Sequence, residues 1–201
     1  MKKYNLVFID DNMRDLELDP FVKTIADLNP DAEVAVFTNP EKGLSYVLEH
    51  LNTRMIVFLD CKLDGYKLQG SDVLSSIRKK TSLLYIIMMS ANNLAQMRTS
   101  SIIQMINEEY IYFFDRNNNL PEDACRVIEK IKQLWNVRFD CVLENWLTRH
   151  VGDAQKVVLK KDGCGYTWND ILQELRTQTQ LGKSFEELVN QYYIYQFTKQ
   201  H

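Results

Sequence analysis

Met55-Ile56-Val57-Phe58-Leu59-Asp60-Cys61-Lys62 is a run of five apolar residues that ends on an acid. Such a run, bounded by a polar loop, reads as a buried strand. A carboxylate is costly to desolvate, so Asp60 belongs at the strand's exposed carboxyl end, where open α/β sheets bind their ligands. What Asp60 faces depends on the segments around it.

Four further apolar runs lie on either side, each closed by polar residues. Asn5 to Ile9 stops at Asp10-Asp11-Asn12, and Glu33 to Phe37 precedes Asn39-Pro40-Glu41. Leu84 to Met89 is closed by Ser90-Ala91-Asn92-Asn93, and Tyr110 to Phe114 by Asp115-Arg116-Asn117. Between the runs, apolar residues recur at helical spacing. Met13, Leu16, Phe21, Ile25 and Leu28 form the first set, with Pro20 expected to kink or reset the helix at Asp19. Pro40 opens a second helix to about Leu51. The loop from Asp60 to Gly70 leads into a third through Val73, Leu74 and Ile77, and Leu94, Met97, Ile102 and Ile106 mark a fourth. Five strands alternating with helices predict an α/β, doubly wound, five-stranded parallel sheet of flavodoxin-like type, covered on both faces. Right-handed crossovers place every strand-to-helix loop on one edge. That edge gathers Asp10, Asp11, Asp60, Ser90 and Arg116.

Three converging carboxylates repel and raise one another's pKa unless a cation neutralises them. Mg²⁺ suits such a site, because it takes one or two carboxylates and a carbonyl while keeping several waters. A carboxylate can also be a nucleophile that forms an aspartyl phosphate. The Ser90 hydroxyl and the Arg116 cation would hold the other phosphoryl oxygens as charge-assisted donors. The set has the composition of a phosphoryl-transfer site.

Phe8-Ile9-Asp10-Asp11, Phe58-Leu59-Asp60, Met89-Ser90-Ala91 and Phe113-Phe114-Asp115-Arg116 together resemble the receiver domain of bacterial two-component response regulators, over roughly residues 1 to 135. The resemblance implies that Asp60 is the phosphoacceptor and that Mg²⁺ is held by Asp10, Asp11, Asp60 and the backbone carbonyl of Lys62. It implies that Ser90 is the switch hydroxyl, with Phe113 at the aromatic switch position. The chain departs from the family at Arg116, where the family has a lysine, and in the Lys62-Leu63-Asp64-Gly65 loop, which lacks the usual proline. The implied function is a cytoplasmic response regulator, not itself an enzyme, phosphorylated by a histidine kinase or phosphotransfer protein. The alternative is a pseudo-receiver, an interaction module in which Arg116 has ended regulation by phosphorylation.

Each residue also has a plainer role. Ser90 alone suits a helix N-cap, Arg116 can pair with Asp115, and Phe113 can be core. Cys61, Cys125, Cys141 and Cys164 lie far apart, and His50, His150 and His201 do not accompany them in a zinc pattern, so reduced thiols in a cytosolic protein are expected. The first apolar run is cut at Asp10, far short of a signal or membrane segment. The 201 residues carry a net charge of −3, which leaves no basic footprint for nucleic acid.

Beyond Pro121, Ala124, Ile128, Ile131, Trp135, Phe139, Val142 and Trp146 recur every three or four residues, which predicts either one helix of about 30 residues or a break near Asn136. The expected organisation is a receiver core over 1–121, a long last helix or linker over 122–150, and a helical output or interaction module over 151–201. Within that module Lys156 to Lys161 reads as a short strand or a helix end, and Asp162-Gly163-Cys164-Gly165 as a turn. Thr167 caps one helix, and Ser184 with Glu187 opens the last. From Glu122 to His201 eleven Lys/Arg balance eleven Asp/Glu, so DNA is disfavoured as partner and a DNA-binding transcriptional regulator is the least favoured of the three readings. The aromatic run Tyr192-Tyr193-Ile194-Tyr195-Gln196-Phe197 favours a protein partner, and homodimer formation is left open.

Overall fold

The computed structural model describes residues 3–13, 19–90 and 99–199, without the side chains of Ser101 and Gln104. The expectations for Leu16, Ala91, Asn92, Asn93, Leu94, Met97 and His201 lie outside the described residues. The chain divides into two compact units, residues 1–133 and 134–201.

The first unit alternates strand and helix as the apolar runs predict. Its elements are β1 (Tyr4–Ile9), α1 (Pro20–Leu28), β2 (Ala32–Phe37), α2 (Pro40–Glu49), β3 (Met55–Asp60) and α3 (Gly70–Arg78). There follow β4 (Tyr85–Ser90), α4 (Thr99–Asn107), β5 (Ile111–Asp115) and α5 (Pro121–Trp135). The strands form one parallel sheet in the order β2-β1-β3-β4-β5. β1 and β3 are apolar without alternation because helices cover both faces, and Val7, Phe8, Ile56, Val57 and Phe58 have no exposed surface. Val7, Ile9, Val57, Leu59, Ile86 and Met88 meet Val47 of α2 and Val73, Leu74 and Ile77 of α3. On the opposite face, Phe8 stacks on Phe58 at 4.5 Å, and Phe21 of α1 packs edge-on against both at 6.5 Å. Pro20 begins α1 rather than kinking it, since Asp19 is the N-cap and accepts from the backbone of Phe21 and Val22.

The second unit starts within the stretch assigned to a long last helix. α5 ends at Trp135, and α6 (Phe139–Arg149) is a separate helix. The break lies where Arg138, in extended backbone conformation, folds its guanidinium onto Asp140 two residues later. Its Nε donates to Asp140 Oδ1 at 2.6 Å and its Nη2 to Oδ2 at 3.0 Å, a pairing that a continuous helix would turn to different faces. α6 thus belongs to the second unit's core: its Leu143 and Leu147 pack with Ile171 and Leu175. A hairpin follows, β6 (Val157–Lys161) and β7 (Cys164–Thr167), antiparallel and joined by Asp162-Gly163. Both turn residues have positive φ, 53° and 79°, so this is a two-residue hairpin turn of the Asp-Gly kind. The polar text of Cys164 and Gly165 hides β7, which the sequence reading took for turn.

α7 (Trp168–Arg176) starts on Thr167 in a capping box with Asp170. α8 (Gln180–Lys199) begins earlier than the Ser184-Glu187 pattern predicts. Thr179 Oγ1 accepts from the backbone N–H of Gly182, which places the cap there. Gly182 permits the tight return from α7, because a Cβ at that position would lie 2.2 Å from the carbonyl oxygen of Glu174. The second unit is accordingly the smaller, mainly helical one. Among the described residues, no helix is long and apolar enough to cross a membrane.

Candidate functional site

Asp10 and Asp11 follow β1, Asp60 ends β3, Ser90 ends β4 and Arg116 follows β5, so the parallel order brings all five to one sheet edge. Asp10, Asp11 and Asp60 each offer a carboxylate oxygen, and these atoms lie within 4.8 Å of one another. Asp10 has no exposed surface. Its Oδ1 accepts from the backbone N–H of Asn12 at 2.8 Å, and its Oδ2 accepts from Arg116 Nη1 at 2.5 Å. The Arg116 guanidinium carbon lies 5.2 Å from the centre of the Phe21 ring, in cation–π range. The backbone N–H of Arg116 donates to the Ser90 carbonyl at 2.9 Å, which ties the ends of β4 and β5 together. Arg116 therefore pairs with Asp10 across the edge.

Asp60 Oδ1 accepts from the backbone N–H of Lys62 at 3.3 Å, while the Lys62 ammonium points outward to Asp64. Burial, and then the charge of Asp10, push the Asp60 carboxyl up to about 7. Asp10 is also raised, chiefly by burial, which outweighs the Asn12 N–H and Arg116. Asp11 Oδ2 accepts from the Asn12 side chain at 3.1 Å, but its Oδ1 is buried with no hydrogen-bond partner. One guanidinium does not neutralise three acids. The donor set is hard oxygen, and an orphaned carboxylate oxygen points to a missing partner, so the residues present fit Mg²⁺.

Sequence reasoning passed over three supports. Gly70, the first residue of α3, lies against the backbone of Asp60 itself: a Cβ there would be 2.1 Å from the Asp60 carbonyl oxygen and 3.0 Å from Cys61 Cα. Gln69 braces the loop that lacks proline, accepting from the Leu63 N–H at 3.2 Å and donating to the carbonyls of Leu63 at 3.0 Å and Tyr66 at 2.7 Å. Phe21 underlies Arg116. Only Gly70 carried a signal, as a glycine at a loop end; the others act through contacts between distant segments. Ser90 is buried, one residue beyond the Asp60–Met89 pairing of β3 and β4. Phe113 is half-buried and packs on the cluster that contains Leu63 and Met88. The Cys61 thiol is pushed up to about 12 by burial and the Asp60 charge, which leaves it a poor nucleophile.

No family model and no curated protein matches the chain. Among solved structures it is similar to the isolated receiver domain of RcsB from Salmonella enterica serovar Typhimurium, with 16% identity and a TM-score of 0.50. That match covers 64% of this chain and 88% of the other. It is also similar to the receiver domain of NtrX from Brucella abortus, at 21% identity over 62% of this chain and 95% of that one, with a TM-score of 0.47. A longer NtrX structure in complex with ATP matches 86% of this chain at 20% identity and a TM-score of 0.49, but the chain spans only 33% of its length. The RcsB likeness, with the strand order β2-β1-β3-β4-β5, shows that the five-stranded unit has the fold of a response-regulator receiver domain.

Proposed function

We propose that the protein is a response regulator whose Asp60 takes a phosphoryl group from a histidine kinase or phosphotransfer protein and whose second unit relays the change to a protein partner. The observation that carries this reading is the acid cluster: one carboxylate oxygen from each of Asp10, Asp11 and Asp60 within 4.8 Å of the others, an orphaned oxygen on Asp11, and an Asp60 pKa that burial has raised. In the transfer, an Asp60 oxygen attacks phosphorus as the P–N bond of a phosphohistidine breaks. The imidazole leaves with the electron pair of that bond, and Asp60 becomes an aspartyl phosphate. Mg²⁺, held by Asp10, Asp11, Asp60 and the Lys62 carbonyl, would supply positive charge to the acids and the phosphoryl oxygens. The Ser90 hydroxyl and the Arg116 guanidinium would hold the other oxygens. Ser90 and Phe113 would then pass the change to the β4–β5 surface, a local charge and packing event of the kind phosphorylation switches use. The chain would act as a phosphoryl acceptor in the cytoplasm rather than as an enzyme with its own substrate.

Support also comes from the RcsB receiver, whose structure was obtained in the presence of the phosphomimetic BeF₃⁻. The pseudo-receiver reading is favoured by one observation, the Arg116–Asp10 ion pair at 2.5 Å, which already occupies one acid. Intact mass measured after incubation with a small phosphodonor and Mg²⁺ tests the proposal. One phosphoryl increment is expected on the wild type and none on Asp60→Asn. A wild type without the increment, or a variant that keeps it, overturns the reading.

A further inference from the structure

The last half of α8 is a long, uncharged and exposed helix surface. From Leu188 to Thr198 it carries no charged residue. Leu188, Tyr192, Tyr193, Ile194, Tyr195 and Phe197 are 60%, 58%, 55%, 65%, 52% and 67% exposed. At 3.6 residues per turn, Leu188, Tyr192 and Tyr195 fall on one face, while Tyr193 and Phe197 fall on another with Ile194 between. Apolar side chains on more than one face, interrupted by Asn190, Gln191, Gln196 and Thr198, exceed what packing on a single core face requires. Yet the second unit's core takes only Phe185 from α8, three residues before this stretch. Beside its root lies a cavity of about 340 Å³ lined by Phe139, Val142, Trp146, Trp168, Phe185 and Tyr192, among other residues.

We propose that the occupant is a second copy of the chain, with two α8 helices exchanged antiparallel across a two-fold axis so that the Ile194–Phe197 end of each seats at the other's cavity. Area, charge and shape support this occupant. The six exposed side chains amount to between three and four whole ones, which at 150–250 Å² for an aromatic is roughly 700 Å² per copy. Two copies bury about 1,400 Å², within the span of a specific protein interface. In a two-fold contact each patch must be complementary to itself. A surface of eleven uncharged residues meets its copy without like-charge repulsion, and it carries no cation for phosphates or anionic headgroups. A flat contact along one face would leave the opposite one wet, whereas insertion of the helix end into the partner's cavity covers both. This inference stands apart from the phosphorylation reading, and its test uses neither phosphodonor nor Mg²⁺.

Sedimentation of the full chain at tens of micromolar should give twice the 23.7 kDa chain mass. The double variant Ile194→Glu/Phe197→Glu should weaken the dimer by at least about tenfold, with Trp146 emission shifting to the red as the cavity fills with water. Val142→Glu, at a 45% exposed position on the cavity side, should do the same from the other half of the contact. Far-UV circular dichroism should be unchanged in both. A monomeric wild type, an open series of larger assemblies, or a Val142→Glu protein that remains dimeric overturns the proposal, whether or not the double variant folds.

Discussion

Each unit of the protein contains a cluster of buried charge, and the two are built to opposite ends. In the second unit Asp140 is nearly sealed from solvent, and both of its oxygens are taken: Arg138 holds them in a fork, and Arg176 Nε donates to Oδ2 at 3.2 Å. Arg176 Nη2 reaches Glu144 at 3.0 Å. Burial alone would raise the Asp140 pKa, but the two guanidinium groups outweigh it and hold the carboxyl below the usual range. In the first unit, among the described residues, Asp10 alone of the three acids has a guanidinium partner, one Asp11 oxygen is orphaned, and burial wins at Asp60. A paired cluster is finished and serves the fold. An under-neutralised one holds unspent repulsion that only a ligand removes, which is how a site differs from a scaffold.

Neutralising substitutions should therefore act with opposite signs in the two clusters. Arg176→Leu strands Asp140 and Glu144, and removing one partner of a buried pair costs about 3–5 kcal/mol. In thermal or urea unfolding the second unit should lose most of its stability. Asp140→Asn should also destabilise. By contrast, Asp11→Asn relieves the repulsion around Asp60 and should raise the midpoint of the metal-free first unit, by about 1 kcal/mol, while weakening Mg²⁺ binding by tenfold or more. Destabilisation by Asp11→Asn without metal would mean that the first cluster, like the second, is already satisfied.

This contrast was only half legible in the sequence. The five strands and the shared edge could be read because each strand is an apolar run ended by polar residues, and parallel topology alone then gathers Asp10, Asp60, Ser90 and Arg116. What could not be read depends on long-range pairing. Nothing near Asp140 announces that Arg176 will reach it, whereas the split between α5 and α6 falls at the break near Asn136, one of the two readings of this stretch. β7 was missed because Cys164-Gly165 has the composition of a turn; its strand character comes from the partner strand. Arg116 reads in the sequence as a holder of phosphoryl oxygens or a partner of Asp115, and only the fold places Asp10 beside it.

The same contrast predicts a pH effect in the first unit. Asp60 in the folded state titrates near 7, above its unfolded value of about 3.9, so the folded state binds the extra proton between those values. The Asp60 contribution to the stability of the metal-free protein should therefore be full below about pH 4 and be lost as pH rises from there through about 7. Mg²⁺ competes with that proton, so its affinity should climb over the same range and reverse the loss. Titrations followed by thermal shift at several pH values, with and without Mg²⁺, check both slopes. An affinity flat from pH 6 to 8 would mean that Asp60 is already ionised and neutralised.

Arg116→Lys has the smallest expected effect and is the sharpest probe of how far the first cluster is open. Lysine keeps the charge but loses the directed Nη1 hydrogen bond to Asp10 and much of the contact with the Phe21 ring, worth about 1 kcal/mol. It is also a compact charge on a flexible stem, free to leave Asp10 for an incoming phosphoryl oxygen. Phosphodonor labelling of Asp60 should change by less than tenfold, with the variant labelling faster, and Phe21→Leu should give a similar but weaker gain by loosening the arginine. If label appeared only in Arg116→Lys, the arginine would have closed the site as a built-in counterion. The first unit would then resemble the second in charge balance, and the protein would be a pseudo-receiver.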